Sequence, residues 1–185
     1  MSIVLADLAG YTAYSERHAA DEVAAMLNAY FGPIIPLMER AGGEVHQIVG
    51  DELMVIFGKD GRVPDHAYRA ARSALVLQRV AQRIAAGNDD WPRFRVGVSS
   101  GEVHIGLVGA ATGHRKHGVV GDVVNLAARL EAAAPVGGVL IAEGTFLGLG
   151  ARGVVQAVPP MQVKGKREPV TAYLLHRLAT ALPER

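Results

Sequence analysis

Six segments in the order strand, helix, strand, strand, helix, strand predict an α/β (α+β) fold. Its centre is a ferredoxin-like βαββαβ core, with a mixed, largely antiparallel sheet flanked by helices and a small C-terminal αβ extension. Three observations carry this. A β-branched run, SIVLA, opens the chain. Two apolar runs, His46–Val49 and Leu53–Phe57, are separated only by Gly50-Asp51-Glu52, as in a tight hairpin. A clean amphipathic helix from Asp65 to Ile84 is followed by a second β-rich segment, FRVGVSS.

Each element has its local reason. SIVLA reads as a buried strand, and the turn DLAGYT leads from it into a helix. From Asp21, the residues Val23, Met26, Leu27, Tyr30, Phe31, Ile34 and Leu37 recur at helical spacing. Pro33 and Pro36 fall inside that pattern and predict a kink or break, because each lacks an N–H and crowds the preceding turn. AGG ends the helix, and the hairpin follows with arms from about Glu44 to Val49 and Glu52 to Phe57. Asp65 is placed to cap the next helix, whose apolar face runs through Ala67, Ala70, Ala71, Ala74, Leu75, Val80, Ala81 and Ile84. Residues 94–109 read as two strands joined by a Ser-Gly turn, and GAATGHRKHG (109–118) as a polar loop. GDVVNLAARLEAAA (121–134) reads as a helix, with Asp122 as its cap. Short strands and one short helix fill the remainder. A single domain over 1–185 is expected, with a core to about 132 and a C-terminal subdomain from about 133 to 178.

Bulk composition narrows the function. The chain has 185 residues, half of them apolar and a fifth charged, with a net charge of +1. That composition suits a globular protein with a sizeable core and gives no basic surface for nucleic acid. Having no cysteine, it can form neither disulfides nor zinc-thiolate sites nor thiol nucleophiles, and it fits a cytoplasmic location. No apolar run approaches the ~20 residues of a membrane span, and Asp7 interrupts the first one, against a signal peptide. Its opening inside a strand also suits a piece of a longer protein carrying regulatory domains elsewhere.

The acids at the hairpin tip bear on chemistry. Asp51 beside Gly50 is ordinary turn chemistry when taken alone. Asp7, however, ends the first strand, which neighbours the hairpin in such a sheet. Two carboxylates meeting at one sheet edge repel unless a proton or cation lies between them. Hard divalent cations, which use one or two carboxylates together with phosphate oxygens, are the natural neutralisers. The loop Leu8, Ala9, Gly10, Tyr11, Thr12 enters a helix, where free N–H groups suit a phosphate. Glu52 is expected to point to the opposite face from Asp51 and to be structural. His46 and His104 lie in strand patterns and His114 and His117 in the basic loop, with no ligand pairing among them. Trp91 reads as a packing residue and Lys166 as a solvated one.

Five stretches, LADLAGYT (5–12), VGDELMVIF (49–57), FRVGVSSG (94–101), VVGDVVNLAARLE (119–131) and VKGKREPVTAY (163–173), together resemble the class III nucleotidyl cyclase catalytic domain in order and approximate spacing. The resemblance implies conversion of a nucleoside triphosphate, ATP first, to its 3′,5′-cyclic monophosphate and pyrophosphate. It implies two divalent cations, Mg²⁺ or Mn²⁺, on Asp7 and Asp51 with the Leu8 carbonyl. It assigns Arg95 and Lys164 to the β- and γ-phosphates, Asn125 to the ribose and Arg129 to charge on the α-phosphate. It also implies a homodimer, with Asp7, Asp51 and Arg95 of one subunit facing Asn125, Arg129 and Lys164 of the other.

Two positions depart from the family's pattern. The usual adenine-reading Lys is Gln47, and a second base reader is Gly118. A glutamine amide still donates and accepts, while Gly118 offers only backbone. ATP with weakened base discrimination is therefore expected. A guanylate cyclase and a silent nucleotide-binding or dimerisation module stay open. The VGDEL hairpin also resembles that of diguanylate cyclases, against which the Asn125/Arg129 and Lys164 segments speak.

Overall fold

The computed structural model describes residues 1–59, 61, 64–109, 113, 115–162 and 169–179, with the side chains of 115–117 left out of the description. The sequence-derived βαββαβ order is present as β1 (Ser2–Ala9), α2 (Ala20–Arg40), β2 (Gly43–Val49), β3 (Glu52–Phe57), α3 (His66–Ile84) and β4 (Arg93–Ser100). A five-residue helix, α1 (Tyr11–Ser15), links β1 to α2. Beyond the core come β5 (His104–Gly109), β6 (Arg115–Val120), α4 (Asp122–Ala133), β7 (Val139–Ala142), α5 (Glu143–Leu149), β8 (Gly153–Ala157) and β9 (Ala172–Leu178).

Seven strands form one sheet in the order β2-β3-β1-β4-β7-β9-β8, and β5 and β6 form a separate ribbon. Every pair in the large sheet is antiparallel except β4 with β7. The segment is thus α+β, as the sequence predicts. One sheet face carries Val4, Ala6, Leu8, Leu53, Val55 and Phe57 and packs against Tyr30, Ile34 and Met38 of α2 and Ala70, Ala74 and Leu77 of α3. Full burial of such a large apolar side chain stabilises by roughly 1.5–3 kcal/mol. The other face carries Ile3, Leu5, Met54 and Ile56, covered by Val123 and Ala127 of α4.

Four sequence expectations are corrected. First, α2 runs unbroken through Pro33 and Pro36. Pro33 is exposed and Pro36 half-buried, while Phe31, Ile34 and Met38 are buried. Packing of that apolar stripe outweighs two missing N–H donors on the other side of the helix. Second, β4 and β5 are not a hairpin pair. β5 pairs with β6, so Arg115–Gly118, read as loop, is strand. Third, Asp122 lies in the first turn of α4, and Gly121 holds the cap position. Asp65 does precede α3, but its side chain makes no cap hydrogen bond; its Oδ1 instead accepts from Arg152 at 3.1 Å. The fourth correction, at Glu52, belongs to the site. Among the described residues no helix is long and apolar enough to cross a membrane.

Candidate active site

Strand register delivers the acids. Asp7 stands opposite Arg95 on β4, and Leu5, two residues earlier on the same side, stands opposite both Met54 and Gly97. Asp7 and Arg95 therefore project on the α4 side of the sheet. Gly50 turns the β2–β3 hairpin with a φ of 61°, in the left-handed region that favours glycine. The turn brings Asp51 back to β1, where its Oδ2 accepts the Leu8 backbone N–H at 3.1 Å.

The electrostatics follow from this crowding. Burial, a hydrogen bond with the Asp7 carboxyl and the Asp7 charge push Asp51 up to about 6, against the Leu8 hydrogen bond, which favours the ionised form. Glu52 corrects its expected placement. Two residues before Met54, it stands on the Asp7 side of the sheet, and burial and then the Asp7 charge raise its carboxyl. The strand alternation was sound. The error lay in carrying that alternation back onto Asp51, which belongs to the turn.

Arg95 is the cation of this cluster. Its Nη2 lies 3.4 Å from Asp7 Oδ2, its Nη1 donates to the Ala132 carbonyl at 3.2 Å, and its Nε lies 3.3 Å from Glu131 Oε1. Sequence reading missed Glu131. Its only signal was position, since α4 buries Val123, Ala127, Leu130 and Glu131 and puts an acid on the helix's inward stripe. Burial first, then the charge of Asp7, raises Glu131 to about 7, with Arg95 opposing.

The remaining expected residues divide. Asn125 is exposed and Arg129 half-buried, a turn apart on α4 and off its inward stripe. Ala9 and Tyr11 are half-buried, and Gly10, at φ 83°, and Thr12 are exposed, at the entry to α1. Gln47 pairs with Met54 on β2, next to a register shift at His46, and so shares the Asp7 side. Gly118 sits in the ribbon opposite Gly106, where an added Cβ would lie 2.6 Å from Val108 Cγ2. Lys164 lies outside the described residues, as do Lys166 and His114. A cavity of about 830 Å³ between α3, β4 and β9 includes none of these residues in its lining.

Among the described residues no three His, Cys, Asp or Glu side chains converge as a ready metal cluster. The donor set nonetheless fits hard divalent cations that complete their shell with phosphate oxygens and water. Asp7 and Asp51 supply two carboxylates, and burial together with the hydrogen bond and charge of Asp7 pushes Asp51 up to about 6.

The family described as "Adenylate and Guanylate cyclase catalytic domain" matches residues 1–177, and the chain belongs to it. An adenylate cyclase of Mycobacterium bovis is 29% identical over 182 residues, covering 98% of this chain and 41% of the relative. The chain thus spans about two fifths of the length of the curated relatives it matches first. The crystal structure of the guanylyl cyclase Cya2 is 30% identical with a TM-score of 0.87, covering 98% of this chain and 94% of that one. The adenylyl cyclase CyaB of P. aeruginosa is 26% identical with the same TM-score, 0.87, covering 98% and 95%.

Proposed function

We propose that this chain is an adenylate cyclase catalytic domain, forming 3′,5′-cyclic AMP and pyrophosphate from ATP. The observation that carries the reading is the meeting of Asp7, Asp51 and Arg95 at one end of the sheet, fastened by the Leu8–Asp51 hydrogen bond. In the reaction the ribose 3′-oxygen bonds to the α-phosphorus as the α–β bridging bond breaks, and pyrophosphate leaves.

Asp7 and Asp51, with the Leu8 carbonyl, would hold two divalent ions, Mg²⁺ or Mn²⁺. Such ions lower the pKa of the attacking hydroxyl and neutralise phosphate charge. Arg95 and Lys164 take the β- and γ-phosphates, and the 8–12 loop lines the triphosphate. Asn125 orients the ribose. The planar Arg129 guanidinium meets charge developing on the α-phosphate. The exposed position of Asn125, off the inward stripe of α4, suits a site completed by a second copy of the chain. Two such sites would then be related by two-fold symmetry.

Adenine is favoured because relatives aligned over nearly the whole chain carry the name adenylate cyclase. A guanylate cyclase is the second reading, favoured by the likeness to Cya2 and by Gln47 in place of the usual adenine-reading lysine. Incubation with ATP or GTP and Mn²⁺ or Mg²⁺, followed by chromatography of the products, tests both. Cyclic AMP formed from ATP faster than cyclic GMP from GTP is the expected result. Faster turnover of GTP would reverse the base assignment, and no cyclic product from either would leave a nucleotide-binding regulatory module.

A further inference from the structure

Gly97 sets how closely α4 approaches the sheet. A Cβ there would lie 2.2 Å from the Ala127 carbonyl oxygen and 2.4 Å from the Glu131 backbone nitrogen. Only a residue without a side chain lets the helix backbone lie flush on β4. Two residues back along β4, on the same side, stands Arg95. The C-terminal turn of α4 is thereby pressed onto the Arg95 side chain, and Glu131 arrives with its side chain about nine-tenths buried.

Glu131 is an odd choice for the spot. Asp7, Glu52 and Asp51 all act on it with like charge, and Arg95 is the cation that opposes them. Glu131 Oε1 and Arg95 Nε are both buried and, though 3.3 Å apart, are not aligned for a hydrogen bond. The attraction is therefore ionic. A buried ion pair adds little stability over a packed apolar pair of similar size. What it does supply is direction. With Nε facing Glu131 and Nη1 donating to the Ala132 carbonyl, the guanidinium plane is fixed, and Nη2 is the nitrogen left toward Asp7.

We propose that Glu131 is a positioning residue for Arg95, holding the guanidinium from the α4 side so that its remaining N–H groups face the triphosphate beside Asp7. The inference rests on the reading of Arg95 as a β/γ-phosphate contact. It adds that α4 serves its own subunit's site through Glu131, besides presenting Asn125 and Arg129 outward.

The test is Glu131→Gln, close in shape and uncharged, with Glu131→Asp as the variant that keeps the charge, each assayed for cyclic AMP formation and inhibition by pyrophosphate. Glu131→Gln should raise KM for ATP and weaken pyrophosphate inhibition by about tenfold or more, the scale seen for groups that orient a primary ligand. Inhibition by adenosine, which carries no phosphate, should be unchanged, and Glu131→Asp should recover part of the loss. Glu131→Gln combined with Arg95→Ala should be no worse than Arg95→Ala alone. A lowered melting temperature with unchanged KM and pyrophosphate inhibition would overturn the proposal, as would equal losses for pyrophosphate and adenosine. If the unmodified protein forms no cyclic nucleotide, the cyclase reading fails separately. Calorimetric binding of ATP with Mn²⁺ then decides this one: weaker binding in Glu131→Gln upholds it, and equal binding overturns it.

Discussion

Leu8 and Asp51, 43 positions apart, are joined by a hydrogen bond of 3.1 Å from backbone N–H to carboxylate. The end of β1 thus fixes the hairpin tip. Because the donor is main chain, no substitution at position 8 other than proline removes it. The Asp51 carboxylate is consequently held beside Asp7 by the sheet itself.

Asp51→Ala should abolish cyclic nucleotide formation while sparing the fold. The expected loss is on the order of 100-fold or more, the scale for removing one preorganised electrostatic group. Without metal, the melting temperature should hold steady or rise, since one of two repelling acids has gone. Turnover with Mn²⁺ and a thermal melt in chelator check the two halves of the prediction. Wild-type turnover in the variant would remove Asp51 from the metal site.

Stability should depend on pH with a definite sign. Asp51 is raised to about 6 and Glu131 to about 7, so each binds its proton more tightly folded than unfolded. Their contribution is fully present below their unfolded values near 4 and is lost as pH rises through 6 to 7. Metal-free wild type should therefore lose melting temperature between pH 5 and pH 8 relative to Asp51→Asn measured alongside. Mn²⁺ competes with these protons, so its stabilising effect should be larger at pH 8 than at pH 5. A wild-type minus variant difference flat across that range would refute the assignment.

Gly97→Ala tests the seat of α4. The new methyl group would meet main chain, at 2.2 Å from the Ala127 carbonyl, and main chain does not rotate out of the way. Overpacking of this kind costs about 1–3 kcal/mol, read as a shift in a denaturant midpoint. Displacing α4 should also lower turnover, because Glu131, Asn125 and Arg129 all ride on it.

Base choice is predicted to respond to Gln47 and Gly118. Gln47→Lys with Gly118→Asp, which restores a pair of side-chain base readers, should raise the ATP-to-GTP ratio of kcat/KM by about tenfold, as for hydrogen bonds to charged groups. The Gly118 change needs room, since Val108 Cγ2 lies 2.6 Å from the new Cβ. Val108→Ala should therefore improve the double variant's folding. An unchanged nucleotide ratio in the folded triple variant would exclude these positions from base reading.

What could be read from the chain, and what could not, follows the range of the interactions. The core order was legible because the continuous apolar runs of β1 and β3 and the apolar stripe of α3 are local patterns. Asp7 and Asp51 were legible as a pair because ferredoxin-like topology makes their strands neighbours. Strand β6 was hidden, since RKHG has no apolar alternation and pairs only because β5 lies opposite. The unbroken α2 was hidden too, because proline's local cost is visible in sequence and the packing that offsets it is not. Glu131 needed three dimensions. Its importance arises from Gly97 admitting the helix and Arg95 waiting beneath it, and neither relation has a sequence spacing.

The proposed division of the site between two subunits gives the last prediction. Asp51→Ala damages one half-site and Asn125→Ala the other, so each homodimer should be nearly inactive. Mixed and allowed to exchange, half of the dimers become heterodimers, each with one site built from two undamaged halves. By two-fold symmetry, activity should recover to about a quarter of wild type. The rate per subunit of the wild type should also fall on dilution, as dimers dissociate. A site contained in one chain would behave otherwise: mixing would restore nothing, and the specific rate would be independent of concentration.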